Sequence, residues 1–283
     1  MRSLRYFPSA QEIFSSIGSG GALKIIEVRE LYKIYRVGEN RVYALNGVSF
    51  DIDQGEFVAI VGTSGSGKST LLNMLAGLEP PTKGSITVAG KRIDRMNEEQ
   101  LVAFRRQNVG FIFQSYNLLN TMNGLENVAM PLMFRGISRA VREKAALKYM
   151  KLMGVQDQAM HMPNQMSGGQ QQRVGIARAM VVDPKIIFAD EPTGNLDSHT
   201  TMDVLHLMQK LVREQKKTLV MVTHDDHLAS FADKQIRIVD GRIVSIEYAD
   251  RQAEGNETAE SNKMEKSNGT EKSNERETEG ISK

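Results

Sequence analysis

The chain has 283 residues, and 36 Lys or Arg against 34 Asp or Glu leave a formal net charge of +2 at pH 7. A net charge this close to zero excludes a strong positive electrostatic field over the whole protein, of the kind that binds nucleic acid or anionic lipid. The mean hydropathy is −0.35, and no apolar run approaches the about 18 residues of a membrane span, which excludes an integral membrane protein. Because the chain has no cysteine, it forms no disulfide, thiol nucleophile or zinc–thiolate site.

The two ends of the chain differ in composition from its middle. Residues 1–22 contain no apolar signal-peptide core, and the glycine-rich stretch 18–21 is typical of a flexible joint. Residues 251–283 hold eight Glu, six Lys or Arg and only four apolar residues, too few to offset the entropy of ordering. We therefore predict a flexible extension over 1–22, a domain over 23–250 and a disordered charged tail over 251–283.

Four short apolar runs, rich in β-branched or aromatic residues, each lead into a polar or glycine residue. Unbroken apolar runs are typical of strands that are covered on both faces, as in parallel sheets. Because ligands bind beyond the carboxyl ends of such strands, we expect the residues after the runs to share one pocket. The runs are 57–61, 109–113, 186–189 and 219–222, and the residues that follow them are Gly62, Gln114, Asp190 with Glu191, and, after Thr223, His224.

Helical patterns separate several of these runs. Helices are predicted over 69–78, 170–182 and 200–212. Alternation of buried strands with helices predicts an α/β architecture with helices on both faces of the sheet.

A glycine-rich loop follows the first run. Residues 62–69 read GTSGSGKS and fit the pattern G-x-x-x-x-G-K-[ST], between a predicted strand and a predicted helix. Glycines let successive N–H groups point inward to hold phosphate, and the helix N-terminus adds partial positive charge. We expect Lys68 to reach the β- and γ-phosphates and Ser69 to offer its hydroxyl to Mg²⁺; the alternative is a glycine-rich turn with an incidental lysine.

Two adjacent carboxylates follow the third run. Asp190 is placed to hold Mg²⁺ directly or through water, and Glu191 to polarise an attacking water as a general base. The alternative is an exposed acidic turn before Pro192.

A second potential anion site lies 99 residues after Lys68. Ser167, Gly168, Gly169 and Gln170 open a predicted helix, and a serine with two glycines at a helix start is suited to bind an anion. A plain helix cap explains the same residues. If it binds phosphate, it either closes on the same triphosphate as Lys68 or serves the nucleotide of another chain.

Residues 24–246 resemble the ATP-binding cassette ATPases. The segment 166–170, MSGGQ, is similar to their signature motif, with Met in place of the usual Leu. This resemblance implies roles for individual residues. ATP is bound by Gly62, Ser64, Gly65, Ser66, Gly67, Lys68, Ser69 and Thr70, with Tyr35 stacked on adenine. The metal is held by Ser69, Gln114 of the Q-loop and Asp190; the catalytic residues are Glu191, His224 and Gln114, and the D-loop contains Asp197.

The resemblance implies a fold, two cofactors and a dimer. The fold is α/β: a P-loop NTPase (RecA-like) core with a mainly parallel sheet, an N-terminal antiparallel β region and a helical subdomain at about 115–165. ATP and Mg²⁺ are implied as ligands. A head-to-tail homodimer is implied, in which two ATP molecules lie between the glycine-rich loop of one chain and Ser167–Gln170 of the other.

Shorter segments resemble the lipoprotein-releasing, macrolide-export and bacitracin-resistance branch. These cassettes power a separate membrane permease with an extracytoplasmic domain, which implies a peripheral position on the cytoplasmic face of the cell (inner) membrane and export or extraction of lipoprotein, peptide or antibiotic. The segments are 104–106, 110–114, 117–119, 126–128 and 189–197.

Two alternatives to transport remain open at this level. The same ATP-driven clamp serves a mechanical or signalling module that gates a membrane protein in cell-wall or division processes. A cassette acting on DNA or ribosomes is disfavoured by the near-zero net charge and by the 99 residues between Lys68 and Ser167, which leave no room for a long coiled coil, so no nucleic-acid partner is expected.

Seven of the 16 methionines fall within 130–166. Methionine suits adaptable apolar surfaces, which fits docking of a permease helix, but it also fills gaps in cores. The methionines in question are Met130, Met133, Met150, Met153, Met160, Met162 and Met166.

Overall fold

Residues 23–249, the part of the chain that this computed structural model describes, contain two β-sheets, one antiparallel and one mainly parallel. The predictions for the extension 1–22 and the tail 251–283 lie outside the described residues. Residues 23–247 belong to one compact unit.

The first sheet has four strands and is antiparallel. It has the order β2–β1–β4–β5, and a long hairpin supplies β1 and β2. This confirms the expected N-terminal antiparallel region. The strands are β1 (Lys24–Val37), β2 (Asn40–Asp53), β4 (Lys83–Val88) and β5 (Lys91–Arg92).

The second sheet has six strands in the order β10–β9–β3–β8–β7–β6, and β9, β3, β8, β7 and β6 pair in parallel. The sheet includes all four predicted runs, which confirms the α/β prediction. Every residue of β3 and β8 is buried, as expected for strands covered on both faces. The strands are β3 (Phe57–Val61), β6 (Val109–Phe113), β7 (Ile186–Asp190), β8 (Thr218–Thr223), β9 (Lys234–Val239) and β10 (Arg242–Tyr248).

Helices and short 3₁₀ turns connect the strands. The helices are α1 (Lys68–Leu75), α2 (Glu98–Asn108), α3 (Gly124–Met133), α4 (Arg139–Leu152), α5 (Gly168–Met180), α6 (Ser198–Gln215) and α7 (Asp226–Ala229); the 3₁₀ turns are Ile93–Arg95, Gln156–Gln158 and Pro163–Gln165.

The predicted helix ends differ from the observed ones for local reasons. Helix α1 ends at Leu75 rather than at residue 78, and Gly77 then takes a φ of 68° in the left-handed region. Helix α6 begins at Ser198 because the Asp197 side chain caps it, accepting from the N–H of Thr200. It continues to Gln215, three residues beyond the prediction.

Two hydrophobic cores lie on opposite faces of the parallel sheet. One contains buried side chains of the antiparallel sheet and α1, such as Leu31, Phe50 and Leu72. The other contains side chains of α3 to α6, such as Val128, Val174 and Leu205. The parallel sheet is therefore fixed from both sides, which holds the ends of its strands in register.

The methionines of 130–166 divide between the two interpretations. Met150, Met153 and Met166 are buried in the core, so these three fill the interior. Met133 and Met160 are 40% and 74% exposed, and the partly buried Met130 lines a surface groove, so these three are available for a surface role.

We predict that Met150→Ala lowers the free energy of unfolding by about 2–5 kcal/mol, because it leaves a cavity in the core under α3 and α4. Denaturant unfolding measures the change. Met133→Ala, at an exposed position, is the matched control and is expected to stay within about 0.5 kcal/mol of the wild type. Equal effects of the two substitutions would contradict this assignment of the core.

Candidate functional site

The carboxyl ends of the parallel strands lie side by side. Val61 of β3 is paired with Thr223 of β8, and Asp190 of β7 is paired with Val222 of β8 and with Phe113 of β6. The residues that follow these strand ends therefore reach one edge of the sheet, as the sequence pattern predicts.

The glycine-rich loop 62–67 fits too tightly for side chains at two positions. A Cβ on Gly62 would lie 2.2 Å from the carbonyl oxygen of Ile238, and one on Gly67 would lie 2.2 Å from that of Ala44. Gly65 and Gly67 also have φ angles of 78° and 100°, which favour glycine. The loop is thus wedged between β9 on one side and β2 on the other, ahead of the N-terminus of α1.

Two polar groups of the loop are short of hydrogen-bond partners. The Lys68 side chain is buried, and its Nζ donates to the carbonyl of Thr63 at 2.8 Å, which occupies one of three ammonium donors. The buried Oγ of Ser66 has no hydrogen-bond partner among the described residues. Unused donors of this kind, beside a helix N-terminus, fit the oxygens of a phosphate group.

Ser69 and Asp190 form an oxygen pair next to the loop. The Ser69 hydroxyl donates to Oδ1 of Asp190 at 3.2 Å. Burial raises the pKa of Asp190 and the neighbouring Glu191 charge adds to this, while the Ser69 hydrogen bond and the Lys68 charge oppose it. A half-buried carboxylate facing a hydroxyl is a donor set that suits a hard cation such as Mg²⁺.

No group of three or more His, Cys, Asp or Glu side chains within residues 23–249 is arranged to hold a metal. Mg²⁺ keeps several waters and takes only one or two protein carboxylates beside substrate phosphates, so this finding agrees with the oxygen pair. The residues present therefore fit a Mg²⁺ ion that is bound together with a nucleotide.

Gln114 follows β6 and lies against the loop after Glu191. A Cβ on Gly194 would approach Nε2 of Gln114 to 2.7 Å, and Asn195 donates through Nδ2 to the Gln114 carbonyl at 3.0 Å. The structure thus places Gln114 beside the segment that carries Glu191.

Glu191 and His224 form a pair at the same edge. Oε1 of Glu191 and Nδ1 of His224 lie 3.0 Å apart. Glu191 has a φ of 43°, an unfavourable left-handed conformation that persists only where surrounding groups hold it. Its N–H donates to Val222 and its carbonyl accepts from Gly194, which hold it there.

Cavities lie on both sides of this pair. One, of about 510 Å³, is also lined by Gly62, Thr63 and Ser64 of the glycine-rich loop. The other, of about 380 Å³, is also lined by Leu196 and Asp225. The carboxylate therefore faces space large enough for a phosphate and a water beside the loop.

Tyr35 lies on β1 near the start of α1. Its hydroxyl donates to the Glu79 carboxylate at 2.8 Å, and Nζ of Lys33 lies 5.2 Å from the ring centroid. Partial burial and the Glu79 contact raise its pKa, while a hydrogen bond with Thr70 lowers it. The contact with Thr70 places the Tyr35 hydroxyl beside the first turn of α1, which follows the glycine-rich loop.

Ser167, Gly168 and Gly169 lie in a different neighbourhood. Ser167 caps α5, accepting from the N–H of Gln170, whose side chain accepts from the N–H of Ser167. A Cβ on Gly168 would meet the Tyr116 hydroxyl at 2.8 Å, and one on Gly169 would meet Thr200 at 2.5 Å. Tyr116 belongs to the loop after β6 and Thr200 to helix α6, whereas the glycine-rich loop contacts β2 and β9 and precedes Ser69, which bonds to Asp190.

Asp197 caps helix α6. It accepts from the N–H of Thr200 at 3.0 Å and from its hydroxyl at 2.7 Å, and these bonds lower the pKa of the carboxyl. Its exposed position leaves it available for a further contact.

Sequence reasoning missed Arg178 on α5. It is 8% exposed, and its guanidinium donates to the carbonyls of Tyr116 and Asn117. The signal was present, since a single arginine inside the apolar stretch 176–181 indicates a buried charge with a specific partner.

Comparison with known families gives a clear match. The family described as ABC transporter matches residues 45–194, more than half of the chain. The chain belongs to the ABC transporter family.

Similar proteins place the cassette within the family. It is 48% identical to an uncharacterized ABC transporter ATP-binding protein of Thermotoga maritima over 79% of this chain and 95% of that protein. It is 42% identical to the lipoprotein-releasing system ATP-binding protein LolD of Geobacter metallireducens over 78% of this chain and 98% of that protein. It is 47% identical to the macrolide export ATP-binding/permease protein MacB of Chlorobaculum tepidum over 78% of this chain but only 34% of that protein.

A solved structure supports the same assignment. The dimeric post-hydrolysis state of the ATP-binding cassette MJ0796 with ADP and Pi has a TM-score of 0.74 and 42% identity, and covers 79% of this chain and 98% of that one. The cassette is thus an ATP-binding, ATP-hydrolysing subunit of the LolD and MacB type. No helix of residues 23–249 is long and apolar enough to cross a membrane.

We predict that Lys68→Ala strongly weakens ATP binding, because it removes the buried ammonium that follows the loop. Equilibrium binding of a fluorescent ATP analogue measures this, and a weakening of at least tenfold is expected. Lys185→Ala, outside the loop, is the control and should bind as the wild type does. Near-normal affinity in Lys68→Ala would contradict the placement of the phosphates.

Proposed function

We propose that the cassette binds MgATP at the glycine-rich loop and hydrolyses it with a water that lies between Glu191 and the γ-phosphate. The observation that carries this proposal is the convergence of the loop, the Ser69–Asp190 pair and the Glu191–His224 pair on one edge of the parallel sheet. A single triphosphate fits all three, since each presents a group suited to one part of it.

The residues of the loop hold the phosphates. Lys68 gives up its bond to Thr63 and contacts the β- and γ-phosphates, and Ser66 donates its unpartnered hydroxyl. Ser69, Asp190 and Gln114 hold Mg²⁺, which, when bound, offsets the negative charge of the phosphate oxygens. The remaining contacts come from the backbone of the loop and the side chains of Ser64 and Thr70, while Tyr35 stacks on the adenine.

Glu191 acts as the general base. Its carboxylate accepts a proton from the attacking water as the oxygen approaches the γ-phosphorus, and ADP leaves on the opposite side. The contact of 3.0 Å with His224 fixes the direction of the carboxylate. Because Glu191 is held in a left-handed conformation by two backbone hydrogen bonds, its position is set before the nucleotide binds.

We further propose that Ser167, Gly168, Gly169 and Gln170 serve the nucleotide of a second copy. Their neighbours within the chain are Tyr116, Leu196 and Thr200, and the exposed N-terminus of α5 offers N–H groups and partial positive charge to an anion. The solved structures of MJ0796 are described as dimeric, which supports a homodimer with two shared ATP molecules. Asp197 would lie close to the same interface.

We predict that Glu191→Gln binds ATP and forms a stable dimer but lowers the ATPase rate at least 100-fold, because the amide does not accept the proton. Light scattering with and without saturating MgATP measures the dimer, and phosphate release measures the rate. A Glu191→Gln protein that stays monomeric in saturating MgATP would contradict the shared site, while one that hydrolyses normally would contradict the role of Glu191.

A separate membrane permease is the proposed partner. The match to MacB, a combined ATP-binding and permease protein, covers only 34% of it, and the match to LolD covers 98%. We infer that hydrolysis here moves a permease with an extracytoplasmic domain, for export or extraction of a lipoprotein, peptide or antibiotic. The cassette would lie on the cytoplasmic face of the cell (inner) membrane.

A groove of about 600 Å³ between β6 and α3 is the proposed docking site. Phe111, Met130 and Phe134 give it an apolar lining, and Phe134 is 57% exposed. An apolar groove of this kind fits a helix of the permease. Helices α3 and α4 fall inside the proposed helical subdomain at about 115–165, within the cassette domain of 23–250.

We predict that Phe134→Ser leaves the ATPase rate of the isolated cassette within twofold of the wild type but reduces its recovery with the permease at least tenfold. Pull-down of tagged cassette from detergent-solubilised membranes of the source cell, with the permease identified by mass spectrometry, measures this. Val141→Ser, on an exposed site of α4, is the matched control. Unchanged recovery with Phe134→Ser would contradict docking in this groove.

A further inference from the structure

The loop after β6 contains two consecutive non-glycine residues in the left-handed conformation. Tyr116 has a φ of 59° and Asn117 a φ of 48°. Such a pair is unfavourable for L-residues and persists only where surrounding groups hold it. This loop begins at Gln114, two residues before Tyr116, so the contacts that hold Tyr116 and Asn117 also restrain the position of Gln114.

Arg178 of α5 holds both residues. Its Nη1 donates to the Asn117 carbonyl at 2.5 Å and its Nη2 donates to the Tyr116 carbonyl at 2.6 Å. The planar guanidinium matches two adjacent carbonyls, a geometry that the single ammonium of lysine reproduces only in part. Within residues 23–249 it has no carboxylate partner, and burial lowers its pKa.

The Tyr116 side chain also contacts the loop after β7 and the start of α5. Its hydroxyl donates to the Asn195 carbonyl at 3.4 Å, and Asn195 in turn donates to the Gln114 carbonyl. The same hydroxyl would lie 2.8 Å from a Cβ on Gly168, so the ring packs directly against the Ser167–Gln170 segment. The loop of Gln114 therefore contacts α5 at its start, through Gly168, and further along, through Arg178.

We propose that Arg178 is a positioning residue that fixes Gln114 relative to Ser167, through the carbonyls of Tyr116 and Asn117. Binding of MgATP in one chain, which engages Gln114, then places the Ser167 segment of the same chain for the nucleotide of its partner. Arg178 thus couples the two sites of the dimer. The coupling of sites rests on the proposed function; the positioning of Gln114 does not.

The first test concerns the isolated chain. Arg178→Met removes both hydrogen bonds with little change in length. It is expected to raise the Mg²⁺ concentration for half-maximal binding of a fluorescent ATP analogue at least fivefold, with Mg²⁺-free binding unchanged. Arg178→Lys is expected to recover part of the Mg²⁺ affinity. The control is Arg173→Met, on the same helix as Arg178, which removes an ion pair with Asp203 of α6 and is expected to behave as the wild type does.

The second test concerns the dimer. In the Glu191→Gln background, Arg178→Met is expected to raise at least tenfold the MgATP concentration that gives half-maximal dimer by light scattering. Circular dichroism melts confirm that both proteins are folded at the assay temperature. If Arg178→Met does not fold, Arg178→Lys and Tyr116→Phe, each expected to give smaller shifts in the same direction, replace it.

The outcomes separate the two proposals. Absence of an ATP-dependent dimer in the Glu191→Gln protein itself would contradict the proposed function, and the Mg²⁺ titration would still test Arg178. A folded Arg178→Met protein with the Mg²⁺ dependence of the wild type would overturn the positioning role. A changed Mg²⁺ dependence with unchanged dimerisation would overturn the coupling of sites.

Discussion

The proposed site depends on one constraint, a loop that has no room for a side chain at Gly62 or Gly67 and whose N–H groups, in our proposal, hold the phosphates of ATP. The loop lies between the carbonyls of Ala44 and Ile238, each 2.2 Å from where a Cβ of Gly67 or Gly62 would be. Those carbonyls belong to β2 and to β9, so both sheets are needed to hold the loop. In our proposal the loop is fixed before ATP arrives and Lys68 only exchanges its bond to Thr63 for the phosphates, so little reorganisation accompanies binding, which makes electrostatic stabilisation effective.

The parallel sheet positions the other polar groups of the proposed site. Its central strands β3 and β8 are buried on both faces and paired in register, so the residues that follow them have little freedom. The Ser69–Asp190 bond and the Glu191–His224 contact join residues more than 30 positions apart in sequence. In our proposal the segment at Ser167 lies away from this edge, and a second copy therefore completes the site.

Much of this was predictable from the sequence because local patterns determine it. The apolar runs predicted the buried strands, and the strand–glycine loop–helix order predicted where Lys68 lies. Contacts between distant segments were not predictable. The left-handed φ of Glu191 depends on bonds to Val222 and Gly194, and Arg178 meets the loop of Tyr116 only after folding. Helix α1 ended early because Gly77 adopts a left-handed φ, which a helical pattern does not reveal.

The absence of cysteine permits a direct test of the shared nucleotide. Ser64 and Ser167 are both exposed, so cysteines introduced singly at these positions will react with a short bismaleimide. When the two single-cysteine proteins are mixed in the Glu191→Gln background, the account predicts a cross-link between one chain's residue 64 and the other's residue 167, formed only with MgATP. A cross-link within a chain that carries both cysteines, with no product between chains in saturating MgATP, would contradict it.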